Sequence, residues 1–265
     1  MLWLATLAQL PVMRVGCRRF PTDSRLMIKA VQIPRVLFGA GRYAGLAITL
    51  MQWMGWRLSD LVLYDDCYPA RKIGPGGYPI VGRMEDGLQQ CATKPIPAFV
   101  ALGSRTAALR YKIYLSLIRA GVPLVNVVHD SCVISPDVQI GRNVMMMPSG
   151  AILSGVSIGS MCWFFARTTI EHDCSIGDNV VCGPGVTMAG CVTIGSHAFI
   201  GAGAVVCPEI AIGARALIGA GAVVVSDVPD GLIAFGVPAR ARRVAPGGLD
   251  VPTADELLDH PGSAP

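Results

Sequence analysis

Met188–Val224, MAGCVTIGSHAFIGAGAVVCPEIAIGARALIGAGAVV, carries an apolar residue at every sixth position: Met188, Ile194, Ile200, Val206, Ile212, Ile218 and Val224. The same step runs back without a miss through Cys182, Ile176, Ile170, Phe164, Ile158, Ile152, Met146 and Ile140 to Ile134. Glycine often follows the anchor (Gly141, Gly159, Gly177, Gly183, Gly195, Gly201, Gly213, Gly219), and a small or β-branched residue such as Val138, Val156 or Ala204 stands four places after one. A helix repeats at 3.6 residues and a strand at 2, so neither sustains this rhythm. The spacing predicts a hexapeptide β-helix of sixteen units, about five coils, in which each unit gives one short strand and a corner. The anchors point into a triangular prism, and glycine is expected to supply the positive φ of the corners.

Upstream the pattern changes. RVLFGAG reads as a buried strand entering a Gly turn, RYAGLAITLMQWMGW as a helix, DLVLYDD and PAFVALGS as strands, and RTAALRYKIYLSLIRAGV as a second helix. Strands alternating with helices imply a small parallel sheet of the βαβ kind. The expected organisation is an N-terminal extension (1–33), a Rossmann-like α/β domain (34–127), a β-helix (128–243) and a flexible tail (244–265). The apolar start is too short to span a bilayer and has its arginines on the wrong side for a signal peptide. A cytoplasmic protein is expected.

Composition narrows the function. The chain of 265 residues is 52% apolar and 15% charged, with 31 glycines, which fits a folded protein of short Gly-punctuated units. A net charge of +4 with scattered Lys and Arg gives no basic stripe for nucleic acid. Nine cysteines without a CxxC pair read as reduced thiols. His129, His172 and His197 include no close pair, so the three-imidazole zinc site found in some β-helices is not expected, and no metal cofactor is.

Two motifs carry chemistry. Gly39–Ala44, GAGRYA, is G-x-G-x-x-A between a strand and a helix, where Gly39, Gly41 and Arg42 can meet a phosphate at the helix N-terminus. Asp65 and Asp66 end the next strand, where a carboxylate can accept hydrogen bonds from a ribose or base edge. The second motif is TIEHDCSIGD (Thr169–Asp178), in which His172 stands two residues after an inward anchor and so at an outward coil edge. An imidazole can take a proton near neutrality, and Asp173 can hold its tautomer.

NVVHDSCVISPDVQIGRNV, TIEHDCSIGDNV, TMAGCVTIG, FIGAGAVV, IGAGAVVVSDVPDG and GVPAR together resemble the sialic acid O-acetyltransferase family of hexapeptide-repeat acyltransferases. That family includes bacterial nucleotide-sugar N-acetyltransferases, and the resemblance spans roughly residues 34–243. It implies a left-handed β-helix, a homotrimer with sites between adjacent β-helices, and acetyl-CoA, or another acyl-CoA, as co-substrate. It also implies transfer to the amine of a nucleotide-linked sugar for cell-surface glycan synthesis. His172 matches the general base and Asp173 its supporting carboxylate. Gly39, Gly41, Asp65, Asp66 and Gly103 match the sugar-nucleotide region, with Arg42 beside them. Val181, Gly190, Ala202 and Ala220 match positions near the donor, and Arg240, Arg242 or Arg243 either meet the CoA phosphates or form a solvated basic end.

The sequence departs from the family at three places. Val181 replaces a second histidine nine residues after the base, Phe165 replaces an asparagine seven before it, and Gly41-Arg42-Tyr43 replaces Ser-Gly-His. The alternatives are O-acetylation of a sialic acid or other sugar hydroxyl, and a catalytically weakened sugar-nucleotide-binding homologue.

Overall fold

The computed structural model describes residues 33–68, 73–103 and 107–242, apart from the side chains of Ala107 and Arg242. The expected N-terminal extension (all but Ile33), the tail, Arg243 and Ser104 of the LGS turn therefore lie outside the described residues. Four short strands, β1 (Val36–Phe38), β2 (Val62–Tyr64), β3 (Ile80–Gly82) and β4 (Ala98–Val100), form a parallel sheet in the order β3-β2-β1-β4. Their apolar runs are buried, as parallel strands covered on both faces require.

Helix α1 (Arg42–Trp53) buries Ala44, Ala47, Ile48 and Met51, spaced as one helical stripe. It stops in a Schellman arrangement: Gly55 at φ 71° donates to the Gln52 carbonyl and Trp56 to that of Met51. Helix α3 (Ala107–Arg119) follows β4. Strand β3 and helix α2 (Met84–Thr93) were not anticipated from the sequence. Gly87 interrupts the apolar pattern of α2 because a Cβ there would come within 2.7 Å of the Tyr64 ring and 2.8 Å of Phe38.

From Val127 onward the chain forms the left-handed parallel β-helix. Strands eighteen residues apart pair in register, as Thr169 does with Ala151 below and Thr187 above. One face runs from Val127–Val128 to Leu217–Ile218, the second from Val133–Ile134 to Val223–Val224, and the third from Gln139–Ile140 to Ala211–Ile212. The first face continues into Ile233–Gly236 and an antiparallel Ala239–Arg242. The central anchors fill the prism: Ile170, Cys182, Met188, Ile200 and Val206 are fully buried. The eight described cysteines are all free thiols.

The glycines after the anchors have a different purpose from the one expected. None of Gly141, Gly159, Gly177, Gly183, Gly195, Gly201, Gly213 or Gly219 has a positive φ. The left-handed residues come two places later, at Asn143, Met161, Asp173, Asn179, Cys191 and His197 among others. The post-anchor glycines are needed where coils stack: a Cβ on Gly177 would lie 2.6 Å from the Ser196 amide nitrogen, and one on Gly183 2.6 Å from that of Ala202.

The first face of the β-helix packs against the α/β elements. Val127, Met145, Trp163 and Val181 join Ala44, Ile48 and Met51 of α1 in one buried cluster. Asn143, buried on a coil corner, accepts from Val100 N–H (2.7 Å) and donates to Val100 C=O (3.0 Å), so a side chain extends the sheet at β4.

Candidate functional site

His172 lies on the corner between the second and third faces, with 58% of its side chain exposed and Asp173 67% exposed. Its Nδ1 is 3.0 Å from Asp173 Oδ2. An ionised carboxylate only accepts, so Nδ1 carries the proton and Nε2 keeps the free lone pair. The imidazole lies over Gly190, one coil above: a Cβ there would be 2.5 Å from Cε1 and Nε2. One coil below, a Cβ on Gly155 would collide with Asp173 Oδ1. Two glycines eighteen residues from the pair thus make the space that the pair occupies. The Gly190 N–H donates to no group among the described residues.

Gly190 has no positive φ, so alanine there is strained only by the ring it meets. An exposed imidazole yields more cheaply than backbone. Gly190→Ala is therefore expected to displace His172 and lower turnover about tenfold or more, by misplacement of a reacting group. A melting temperature close to wild type should accompany that loss, and undiminished turnover would show that the imidazole's seat over Gly190 is immaterial.

The second feature is the crevice at the carboxyl ends of β1 and β4, where the strand order reverses. Gly39, at φ 113°, brings the β1–α1 turn against β4; a Cβ there would lie 3.0 Å from the Ala101 carbonyl oxygen. Gly41 caps α1 with no side-chain hydrogen bond, and Arg42 is exposed at the first position of the helix. Across the crevice Gly103 lies under Tyr43, whose ring would be 2.5 Å from an added Cβ. Tyr43 in turn rests on Trp163 (centroids 5.1 Å) and Phe165 (6.4 Å) of the β-helix.

The two acidic residues differ. Asp65 is buried, and its carboxylate accepts from Ala40 N–H (2.6 Å) and Cys67 N–H (2.7 Å), bracing the glycine turn. Asp66 is exposed, accepts from Met84 N–H at the start of α2, and pairs with Arg83 at 3.4 Å. Of the two, Asp66 is the one open to solvent.

A network that sequence reasoning missed ties α3 to the β-helix. Arg110 is fully buried, stacks 4.4 Å from the Trp163 ring centre, and donates through Nε (2.8 Å) and Nη2 to Asn179 Oδ1. Burial pulls its guanidinium down to about 10. A guanidinium only donates, so Asn179 presents its oxygen there and its Nδ2 to His197 Nδ1 (2.9 Å), which must be unprotonated. Burial lowers the pKa of His197 in agreement, with Arg110 and Arg215 adding to the effect and Asp178 opposing it. Tyr111 lies edge-on to His197 at 4.9 Å, and burial, with Asp178 beside it, pushes its phenol up to about 12. The eighteen-residue step from Asn179 to His197 was the available signal, but nothing in the sequence pointed to Arg110.

The remaining predicted residues are not all brought together. Val181 is buried in the seam on the first face, two corners from His172 in the chain's path. Ala202 and Ala220 are exposed on the corner between the first and second faces. Five residues of strand, roughly 17 Å at ~3.3 Å each, separate that corner from Gly190. The Ala202–Ala220 corner is smooth: Gly203 and Gly221, at φ 68° and 66°, would meet nothing within 4 Å with a Cβ. The N–H groups of Ala202 and Ala220 donate to no described group. Such a side-chain-free ledge with open amides fits an extended amide-bearing arm. Arg240 is exposed on the last strand.

Comparison with known proteins agrees with this architecture. Residues 191–226 match the family model described as bacterial transferase hexapeptide (six repeats). Perosamine N-acetyltransferase from Caulobacter crescentus, solved with CoA and GDP-perosamine, is 34% identical, with 78% of this chain and 95% of that one covered and a TM-score of 0.71. The acetyltransferase domain of PglB from Neisseria gonorrhoeae, solved with acetyl coenzyme A, is 25% identical over 79% of this chain and 100% of that one (TM-score 0.71). WeeI from Acinetobacter baumannii is 28% identical over 78% and 98% (TM-score 0.68). A 91-residue stretch is 34% identical to the bifunctional protein GlmU of Syntrophotalea carbinolica; it is 34% of this chain and spans only 19% of that curated relative.

Proposed function

The chain belongs to the bacterial hexapeptide transferases and is an enzyme of that family, and we propose that it transfers an acetyl group from acetyl-CoA to the amine of a nucleotide-linked amino sugar. The observation that carries this reading is the His172–Asp173 pair, whose free Nε2 lies over Gly190. The Caulobacter relative with CoA and GDP-perosamine supports an amine acceptor on a nucleotide sugar. It also favours the nucleotide-sugar branch over a sialic acid O-acetyltransferase.

In this reading residues 34–127 hold the sugar nucleotide, with its phosphates at the N-terminus of α1 near Gly39, Gly41 and Arg42 and its sugar end toward Gly103 and Asp66. Residues 128–243 carry the chemistry. The CoA arm lies along Ala202 and Ala220, and when bound it supplies a thioester carbonyl and a leaving thiolate. His172 Nε2 takes the proton from the attacking amine, while Asp173 holds Nδ1–H and stabilises the imidazolium. The Gly190 N–H receives the negative charge that develops on the carbonyl oxygen. His172 then returns its proton to the departing sulfur.

A homotrimer follows from the same reading. The two corners stand at opposite ends of one face, whose outward Val133 and Val205 are 66% and 39% exposed. A neighbouring copy would cover that face and bring its Ala202–Ala220 ledge to His172. No helix among the described residues is long and apolar enough to cross a membrane. We place the reaction in the cytoplasm, in the supply of sugars for cell-surface glycans.

Thiol release from acetyl-CoA tests the proposal directly. Release is expected with GDP-perosamine or a UDP-linked 4-amino sugar as acceptor. Release only with sialic acid or another hydroxyl acceptor would replace this reading by O-acetylation. No release with any acceptor, while a sugar nucleotide still raises the melting temperature, would leave a binding protein.

A further inference from the structure

Cys191 stands eighteen residues after Asp173, so it occupies the same corner one coil higher, next to Gly190 in sequence. The ligand atoms of His172, Asp173 and Cys191 all lie within 4.8 Å of one another, and all three residues are exposed. Among the described residues this is the one His/Cys/Asp/Glu group so arranged. The reaction proposed above uses the imidazole and the carboxylate but gives the thiol no part.

We propose that His172, Asp173 and Cys191 form a binding site for a thiophilic divalent cation, Zn²⁺ above all, and that its occupation arrests turnover. The cation is an inhibitor here and not a cofactor. The metal-binding half stands on the three side chains alone; the inhibitory half rests on the reading of His172 as base.

Nitrogen, sulfur and carboxylate oxygen together are a zinc donor set, whereas Mg²⁺ and Ca²⁺ take oxygen ligands. Tetrahedral zinc with bonds of about 2.0 Å to nitrogen and oxygen and 2.3 Å to sulfur holds its donors roughly 3.2–3.6 Å apart. His172 Nδ1 and Asp173 Oδ2 stand at 3.0 Å already. The exposed thiol closes the remainder by side-chain rotation. Ligation exchanges the Cys191 thiol proton, released to solvent, for a sulfur–zinc bond. Bound through Nε2, zinc occupies the lone pair that must take the substrate proton. Bound through Nδ1, it removes the hydrogen bond that keeps Nε2 basic.

Cobalt substitution reads the site without turnover. Titrating the full chain with Co²⁺ should give a thiolate-to-cobalt charge-transfer band that is abolished by added zinc and is lost in Cys191→Ser. Zinc, but not Mg²⁺, should also slow alkylation of Cys191 by iodoacetamide in the unmutated protein, a readout that needs no variant. In the acetyl-transfer assay, with each protein compared with its own zinc-free rate, Cys191→Ser should need on the order of tenfold or more zinc for half-inhibition. An identical cobalt band in Cys191→Ser, or alkylation indifferent to zinc, would overturn the site. A cobalt band that depends on Cys191 with wild-type turnover untouched by zinc would leave the site standing and overturn both the inhibition and the role of His172 as base.

Discussion

Replacing His172 by glutamine is expected to lower acetyl transfer by about a hundredfold or more, the usual cost of removing a positioned general base. The imidazole is exposed on a corner and its ring contributes nothing to the prism, so the melting temperature should stay within a degree or two of wild type by an estimate from ordinary surface substitutions. Glutamine keeps a polar group over Gly190 but has no lone pair that accepts a proton near neutrality. The measurement is thiol release at saturating acetyl-CoA and acceptor, beside a thermal melt. Turnover within a fewfold of wild type would remove His172 from the mechanism and direct attention to the crevice residues.

Gly177→Ala is expected to do the reverse. The added Cβ would lie 2.6 Å from the Ser196 amide nitrogen and 3.0 Å from its Cα, atoms of a backbone already paired between coils. No rotamer relieves that contact; the coils must separate. Overpacking against side chains costs about 1–3 kcal/mol, and against fixed backbone the upper end, about 3 kcal/mol, is expected. Urea or thermal unfolding measures it, with Gly41→Ala as the comparison: its φ of −82° suits alanine and its Cβ would meet nothing within 4 Å, so a change within about 0.5 kcal/mol is expected. Equal stability of Gly177→Ala and wild type would mean that the coils do not stack as closely as described.

The β-helix was legible because its constraint is periodic: one apolar side chain per six residues must enter a narrow prism, and Ile134–Val224 meets that demand at every step. His172 was legible as outward for the same reason. The purpose of the glycines was not, because positive φ and close approach both select glycine; Gly177 and Gly203 look alike in sequence but serve contact and conformation respectively. Strand β3 escaped notice because its three residues are too few to show alternation. Asp65 read as a ligand-facing carboxylate, and only coordinates could show both of its oxygens engaged by Ala40 and Cys67. Arg110 lay beyond sequence reasoning altogether, since a fully buried arginine held by Asn179 and Trp163 defies the rule that arginine stays at the surface.

The eighteen-residue register between paired strands has a consequence for how such a gene can change in length. Inserting one residue within a strand of the coil that carries His172 would turn every later side chain inside out, placing polar neighbours in the prism and anchors in water. A whole coil could be gained or lost with the prism intact, yet a coil inserted between His172 and Gly190 would put a new residue beneath the imidazole. Insertions that leave both packing and the corner undisturbed are confined to turns elsewhere, so the spacing of eighteen between Gly155 or Gly190 and its partner behaves as a fixed unit of inheritance.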